Sequence, residues 1–242
     1  MTLPDARTLC DVIDATWPAA EKQTQGPITL RRGLAGGSRV SAATATSPVR
    51  AEDRLVAETT MRDWGQTPQF MIRPGEEALD AGLADAGYAV KDQTVLYAAP
   101  IADIAAIKPP PVTSFQVWPP LQTQRDIWAT GGIGPERIAV MLRADCRKSS
   151  FLGRINDRPA GTVYAGINND IAMLHALEIL PHSRRLGLAA NLTRAVAIWG
   201  QKHRVTHIAL ATTQANEGAN ALYASLGMHL VGQYHYRIKV DA

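Results

Sequence analysis

Residues 174–180 read Leu174-His175-Ala176-Leu177-Glu178-Ile179-Leu180, an apolar run that stops at Pro181. Arg184-Arg185-Leu186-Gly187-Leu188-Ala189 follows and opens into a segment in which Leu188, Leu192, Ala195, Val196 and Trp199 form one apolar stripe at helical spacing. The stretch from Leu174 to Lys202 therefore predicts a strand, a basic glycine-containing turn and a helix. The first turn of a helix has backbone N–H groups without intrahelical acceptors, and the positive end of the helix dipole points at whatever lies there. This turn is read as a phosphate seat.

The chain around it is an ordinary globular sequence. At 242 residues it is about twice the commonest domain size, which favours two domains. With 46% hydrophobic and 19% charged residues and no segment near the ~20 uninterrupted apolar residues of a membrane span, a soluble protein without a membrane partner is expected. Met1 to Cys10 carries Pro4 and Asp5 and lacks the basic-then-apolar order of a secretory signal, so a cytoplasmic location is expected. Cys10 and Cys146 lie far apart with no second Cys or His at ligand spacing, which predicts neither a disulfide framework nor a metal site. The net charge of +3 is spread along the chain, which argues against a nucleic-acid partner and leaves acidic cofactors as ligands for local basic clusters.

From the first residues onward, Leu9, Val12, Ile13 and Trp17 predict an amphipathic helix closed by Pro18. Ile28–Arg32 and Arg39–Thr46 read as strands joined by Gly33-Leu34-Ala35-Gly36-Gly37-Ser38. That loop lacks the Gly-Lys-Ser/Thr ending of a P-loop and is read as a hairpin turn. A helix over Glu52–Trp64, a strand over Pro68–Arg73, a helix over Glu76–Ala86 stopped by Gly87, and a strand over Thr94–Ala98 complete the first part. Lys108-Pro109-Pro110-Pro111 is a stiff linker and places a boundary near residue 108. Beyond it, Phe115, Val117 and Trp118 precede a helix containing Ile127 and Trp128. Ile138–Arg143, Ser150–Ile155, Ala160–Ile167 and Ile171–Leu180 then read as strands. After the opening stretch come a strand over His207–Ala211, a helix over Ala219–Leu226 stopped by Gly227, and a last strand over Gln233–Val240. Setting Gly87-Tyr88 over Gly227-Met228 aligns helix, glycine stop and strand in both parts, a faint internal repeat. In that register Leu83 stands opposite Tyr223 and Glu76 opposite Asn216. The first part has no counterpart of the 184–189 turn.

The second part resembles the GCN5-related N-acetyltransferase (GNAT) superfamily, whose acetyl-CoA pyrophosphate loop follows Gln/Arg-x-x-Gly-x-Gly/Ala. Arg184, Gly187 and Ala189 fit it, with Ala in the last place where Gly is commoner. Asn216-x-x-Ala219-x-x-Leu222-Tyr223-x-x-Leu226-Gly227-Met228 is similar to the family's later element, with Met where the family has Phe. The resemblance covers residues 112–242 well and residues 1–107 only through the repeat. It implies a mixed α/β protein of two GNAT-like domains, each a mostly antiparallel sheet flanked by helices. Residues 1–107 would be a degenerate copy lacking the CoA loop, 108–111 the linker, and 112–242 the catalytic domain.

The resemblance also implies the chemistry. Backbone groups of Arg184, Arg185, Leu186, Gly187, Leu188 and Ala189 would hold the pyrophosphate of acetyl-CoA, and Ile179 and Leu180 would meet the pantetheine and acetyl group. A free N–H there would stabilise the oxyanion while an acceptor amine attacks directly in a ternary complex. Tyr223 would protonate the departing thiolate and Asn216 would touch the cofactor, although packing and helix capping are the plainer readings of these two. Strand alternation puts His175 and Glu178 on opposite faces, and His175 is preferred as the base, with a hydrogen-bonded core histidine as the plainer reading. Glu178 would serve only if burial raised its pKa. Alternation also sets Tyr234 and Tyr236 together as acceptor-pocket residues, and His235 and Arg237 together on the other side. The expected protein is an acetyl-CoA-dependent N-acetyltransferase for a small-molecule amine, without a metal, and a monomer or homodimer. Acylation of a peptide or protein, or acetyl-CoA binding without turnover, are the other readings.

Overall fold

The computed structural model describes residues 2–239. In chain order the elements are α1 (Ala6–Thr16), β1 (Glu21–Gln25), β2 (Ile28–Arg32), α2 (Ser38–Ser41), β3 (Thr44–Ala45), α3 (Ala51–Asp63), β4 (Gln69–Ile72), α4 (Glu77–Asp85), β5 (Tyr88–Pro100), α5 (Ile101–Ala105), β6 (Ser114–Val117), α6 (Gln122–Thr130), α7 (Pro135–Arg143), β7 (Arg147–Ile155), β8 (Arg158–Asn168), β9 (Ile171–Ile179), α8 (Leu188–Lys202), β10 (His207–Thr213), α9 (Glu217–Ser225) and β11 (His229–Lys239). Val240, the last residue of the expected final strand, lies outside the described residues.

The fold is mixed α/β and mostly antiparallel, as expected. A small sheet has the order β1-β2-β3, and a large one the order β4-β11-β5-β10-β9-β8-β7-β6. Within the large sheet only β9 and β10 run parallel. One of its faces is covered by α8, whose Leu188, Leu192, Val196 and Trp199 are buried with Phe151, Val163 and Leu174. On the other face α1 packs Leu9 and Ile13 against Met173 and Leu96. Among the described residues no helix is long and apolar enough to cross a membrane.

The repeat seen in the sequence becomes two strand–helix–strand units, β4–α4–β5 and β10–α9–β11. Each helix ends on a glycine in the left-handed region, Gly87 at φ 80° and Gly227 at φ 78°, where a Cβ would be strained. Glu76 and Asn216, matched in sequence, are the N-caps of α4 and α9. The two units exchange their last strands: β5 pairs with β10, and β11 pairs with β4. The large sheet is therefore continuous across the expected linker near residue 108.

Two local expectations are corrected, and one strand is found that the sequence reading missed. Arg39–Ser41 is a short helix and not the start of a strand, with Val40 and Ser41 buried, so only Thr44–Ala45 returns along β2. The partner of β2 on its other side is β1, whose polar Glu21-Lys22-Gln23-Thr24-Gln25 carries no apolar alternation to reveal it. Ile138–Arg143 belongs to α7. Its Pro135 occupies the first turn, where no N–H is needed, and Ile138 and Met141, three apart, are buried while Leu142 is exposed.

Candidate active site

The turn from Pro181 to Gly187 carries the chain off the end of β9 into α8. Arg185 adopts φ 63° and Gly187 φ 79°, and Gly187 caps α8 without a side chain. Asn191 is the first residue whose N–H reaches back, to the Gly187 carbonyl at 3.1 Å. Among the described residues the six consecutive backbone N–H groups from Arg185 to Ala190 have no acceptor. Arg184 holds this loop to the strand: its Nε donates to the Ile179 carbonyl at 3.0 Å and its Nη2 to the Glu178 carboxylate at 3.2 Å.

The loop stands at the mouth of an opening between β9 and β10. Their parallel pairing ends at Leu174 and Leu210, after which β10 continues to Thr213 against β5 alone. On its other side β9 bulges. Ala176 has φ 52°, and the register against β8 passes from Tyr164↔His175 to Thr162↔Glu178, three residues on β9 facing two on β8. The extra residue inverts the parity expected from simple alternation, so His175 and Glu178 lie on the same face and not on opposite ones. The expectation for Leu180 is corrected too, because its N–H donates to the Ala160 carbonyl at 2.9 Å. That bond makes Ile179 the neighbouring unpaired position of the ladder, with its N–H and C=O turned away from β8. The carbonyl takes Arg184; the N–H faces the opening.

The opening widens into a cleft of about 980 Å³. Loop residues line one end and Trp17, Arg39, Arg137, His175, Tyr234 and Tyr236 the other. His175 is buried, stacked on Trp17 with ring centroids 5.1 Å apart. Thr16 Oγ1 donates to the Val12 carbonyl at 2.7 Å and so accepts from His175 Nε2 at 2.8 Å. This network assigns the proton to Nε2 and turns the Nδ1 lone pair to Arg39 Nη1, 3.5 Å away. Burial, with the Arg39 charge beside it, holds the imidazole pKa well below its ordinary value. Tyr234 and Tyr236 are buried neighbours with ring centroids 5.5 Å apart, and among the described residues neither hydroxyl has a hydrogen-bond partner. His235 and Arg237 point the other way and grip Asp80 at 2.8 and 2.6 Å.

The Acetyltransferase (GNAT) family model matches residues 115–228. Residues 115–228 are a GNAT-family domain. Over 59 residues the chain is 32% identical to the aminoglycoside N(6')-acetyltransferase type 1 of Acinetobacter baumannii, a match covering 24% of this chain and 40% of that protein. The chain thus spans less than half the length of that curated relative. Among solved structures, a GCN5-related N-acetyltransferase from Kribbella flavida superposes with a TM-score of 0.69 at 18% identity, covering 98% of this chain and 96% of that one. A tandem GNAT protein from the clavulanic acid biosynthesis pathway gives 0.61 at 13% identity, covering 83% and 76%. At these identities the likeness is one of fold.

Within the GNAT domain Tyr223 lies on α9, buried beside Tyr97 of β5 with ring centroids 5.9 Å apart, and it lines the cleft. Burial pushes its phenol pKa up, so it is protonated throughout the physiological range. Asn216 caps α9, its Oδ1 accepting from the Ala219 N–H at 3.1 Å, and also lines the cleft. Neither cysteine borders it. Burial pushes the Cys10 thiol up to about 12 and raises that of Cys146. Trp17, Arg39 and Arg137 are cleft residues that no sequence motif marks, and two of them come from the first part of the chain. The glycine-rich run Gly33–Ser38 ahead of Arg39 is the one available signal, and by itself it reads as a turn.

Proposed function

We propose that this protein transfers an acetyl group from acetyl-CoA to the primary amine of a small molecule, with residues 112–242 as the catalytic unit and 1–107 as a degenerate copy that lacks the CoA loop. The observation that carries this reading is the run of unpaired N–H groups from Arg185 to Ala190 beside the β9–β10 opening. Successive amides at the start of a 15-residue helix suit a pyrophosphate, and Arg185 adds charge. The adjoining opening admits an extended pantetheine arm along β9. The aminoglycoside acetyltransferase relative supports a small-molecule acceptor.

The Ile179 N–H then donates to the thioester oxygen and stabilises the charge that develops there. The amine nitrogen attacks the carbonyl carbon and forms the C–N bond. As the C–S bond breaks, Tyr223 passes its phenolic proton to the sulfur. The raised phenol pKa suits an acid that must remain protonated at rest. With both thiols held in their neutral form away from the cleft, transfer is direct and forms no acyl-cysteine.

The base assignment changes. His175 offers only an Nδ1 lone pair that faces the Arg39 cation, and protonating it would set two positive charges side by side. We assign His175 to orienting Arg39 and Trp17, and Glu178 to positioning Arg184 and the loop. The amine loses its proton to water in the cleft. In a thermal melt, saturating acetyl-CoA is expected to raise the melting temperature by several degrees, as any ligand selective for the native state does. An unchanged melt would overturn the proposal.

A further inference from the structure

The acceptor end of the cleft is built from donors. Arg39 has five N–H groups, of which one bonds the Ala211 carbonyl at 3.0 Å and one reaches His175 Nδ1. Arg39 is half-buried and lines the cleft, with its charge set beside the Tyr234 and Tyr236 hydroxyls. Those hydroxyls sit on residues only 3% exposed and have no acceptor. Arg137, on α7, enters the same end beside Gly37. Among the described residues neither arginine has a carboxylate partner. Of the acidic side chains lining the cleft, Glu178 is engaged by Arg184, which leaves Asp92.

A partly desolvated cation next to two unpaired hydroxyls is costly without an acceptor, because each group has given up water. One ligand group satisfies all three. A carboxylate accepts from a guanidinium edge through both oxygens and has lone pairs left for two hydroxyls. A polycationic acceptor would meet Arg39 and Arg137 with like charge.

We propose that the acceptor is an amine that itself carries a carboxylate, an amino acid in the broad sense, and that Arg39 with Tyr234 and Tyr236 binds that carboxylate. This rests on the acetyl-transfer reading, and it makes Arg39 the residue that determines specificity.

The test is a panel of primary amines in matched pairs, each as free carboxylate and as carboxamide, assayed by CoA release with the wild type, Arg39→Gln, Arg39→Lys and Tyr236→Phe. The same samples are melted with and without acetyl-CoA. The carboxylate is expected to exceed its amide by at least ~10-fold in kcat/KM, the size of one charge-assisted hydrogen bond. Arg39→Gln should bring that ratio close to one without changing the acetyl-CoA melting shift, and Arg39→Lys and Tyr236→Phe should each keep part of it. Equal use of acid and amide, a preference that survives Arg39→Gln, or turnover confined to amines without a carboxylate would overturn the proposal. If no amine is turned over, the matched pairs are compared by melting shift, where an Arg39-dependent preference supports the carboxylate site and its absence overturns it. Failure of the parent reading is separate, since it shows as loss of the acetyl-CoA shift itself.

Discussion

Two residues in the cleft do opposite things with a proton. Tyr223 is kept protonated by burial, and among the described residues its hydroxyl makes no hydrogen bond, which suits the proposed donation to a leaving group. Tyr223→Phe removes the hydroxyl and leaves the ring against Tyr97. We expect turnover to slow by about 100-fold or more with the acetyl-CoA melting shift retained; unchanged turnover would remove the acid role. His175 is kept unprotonated by burial and by Arg39. Its native pKa is below its unfolded value, so between the two the unfolded chain binds a proton that the native state refuses. Stability is therefore full above about pH 6.5 and is lost as pH falls below it, with a slope approaching ~1.4 kcal/mol per pH unit. His175→Asn should reduce that slope between about pH 6.5 and 5, whatever it does to stability at higher pH. A wild-type-like slope in the variant would show that the titration lies elsewhere.

At the scale of elements, the site is a strand that bulges, a loop that leaves amides unpaired and a helix that begins on glycine. The loop and helix are legible in the sequence because their signals are local: Arg184, Gly187 and the stripe from Leu188 to Trp199 are contiguous, and the same residues make the structure. The bulge is not legible. It hangs on a positive φ at Ala176, a residue with no special preference for it, and is imposed by the register against β8. Simple alternation therefore inverts the faces of His175 and Glu178. Arg39 is hidden for a similar reason, since its partners His175 and Ala211 and the neighbouring Tyr234 lie more than a hundred residues away. The bulge also gives a test. Glu178 on the same face as His175 could be taken for a base, whereas its ion pair with Arg184 makes it a brace for the loop. Glu178→Gln should raise KM for acetyl-CoA several-fold and leave kcat within about twofold. A kcat lowered by about 100-fold or more, with KM unchanged, would reinstate it as the base.

At the scale of the molecule, the exchange of strands decides what the first part is for. β5 lies between β10 and β11 and is buried on both faces: Val95, Tyr97 and Ala99 enter the core beneath α8, while Leu96 and Ala98 enter the core beneath α1. The first part thus supplies the strand between β10 and β11 in the sheet that carries the candidate site, along with Trp17 and Arg39 in the cleft itself. The first part has no counterpart of the 184–189 turn, and it still contributes side chains to the cleft. Residues 112–242 made alone would lack that strand and expose the facing edges of β10 and β11 together with the apolar residues packed on β5, a template for aggregation. We expect that fragment to be insoluble or to melt without a cooperative transition. Coexpression with residues 1–111 should recover a soluble complex that shows the acetyl-CoA melting shift of the intact chain. A soluble, cooperatively melting fragment 112–242 that shows the shift by itself would mean that the second part completes its own sheet, and that the exchanged strand is dispensable for the CoA site.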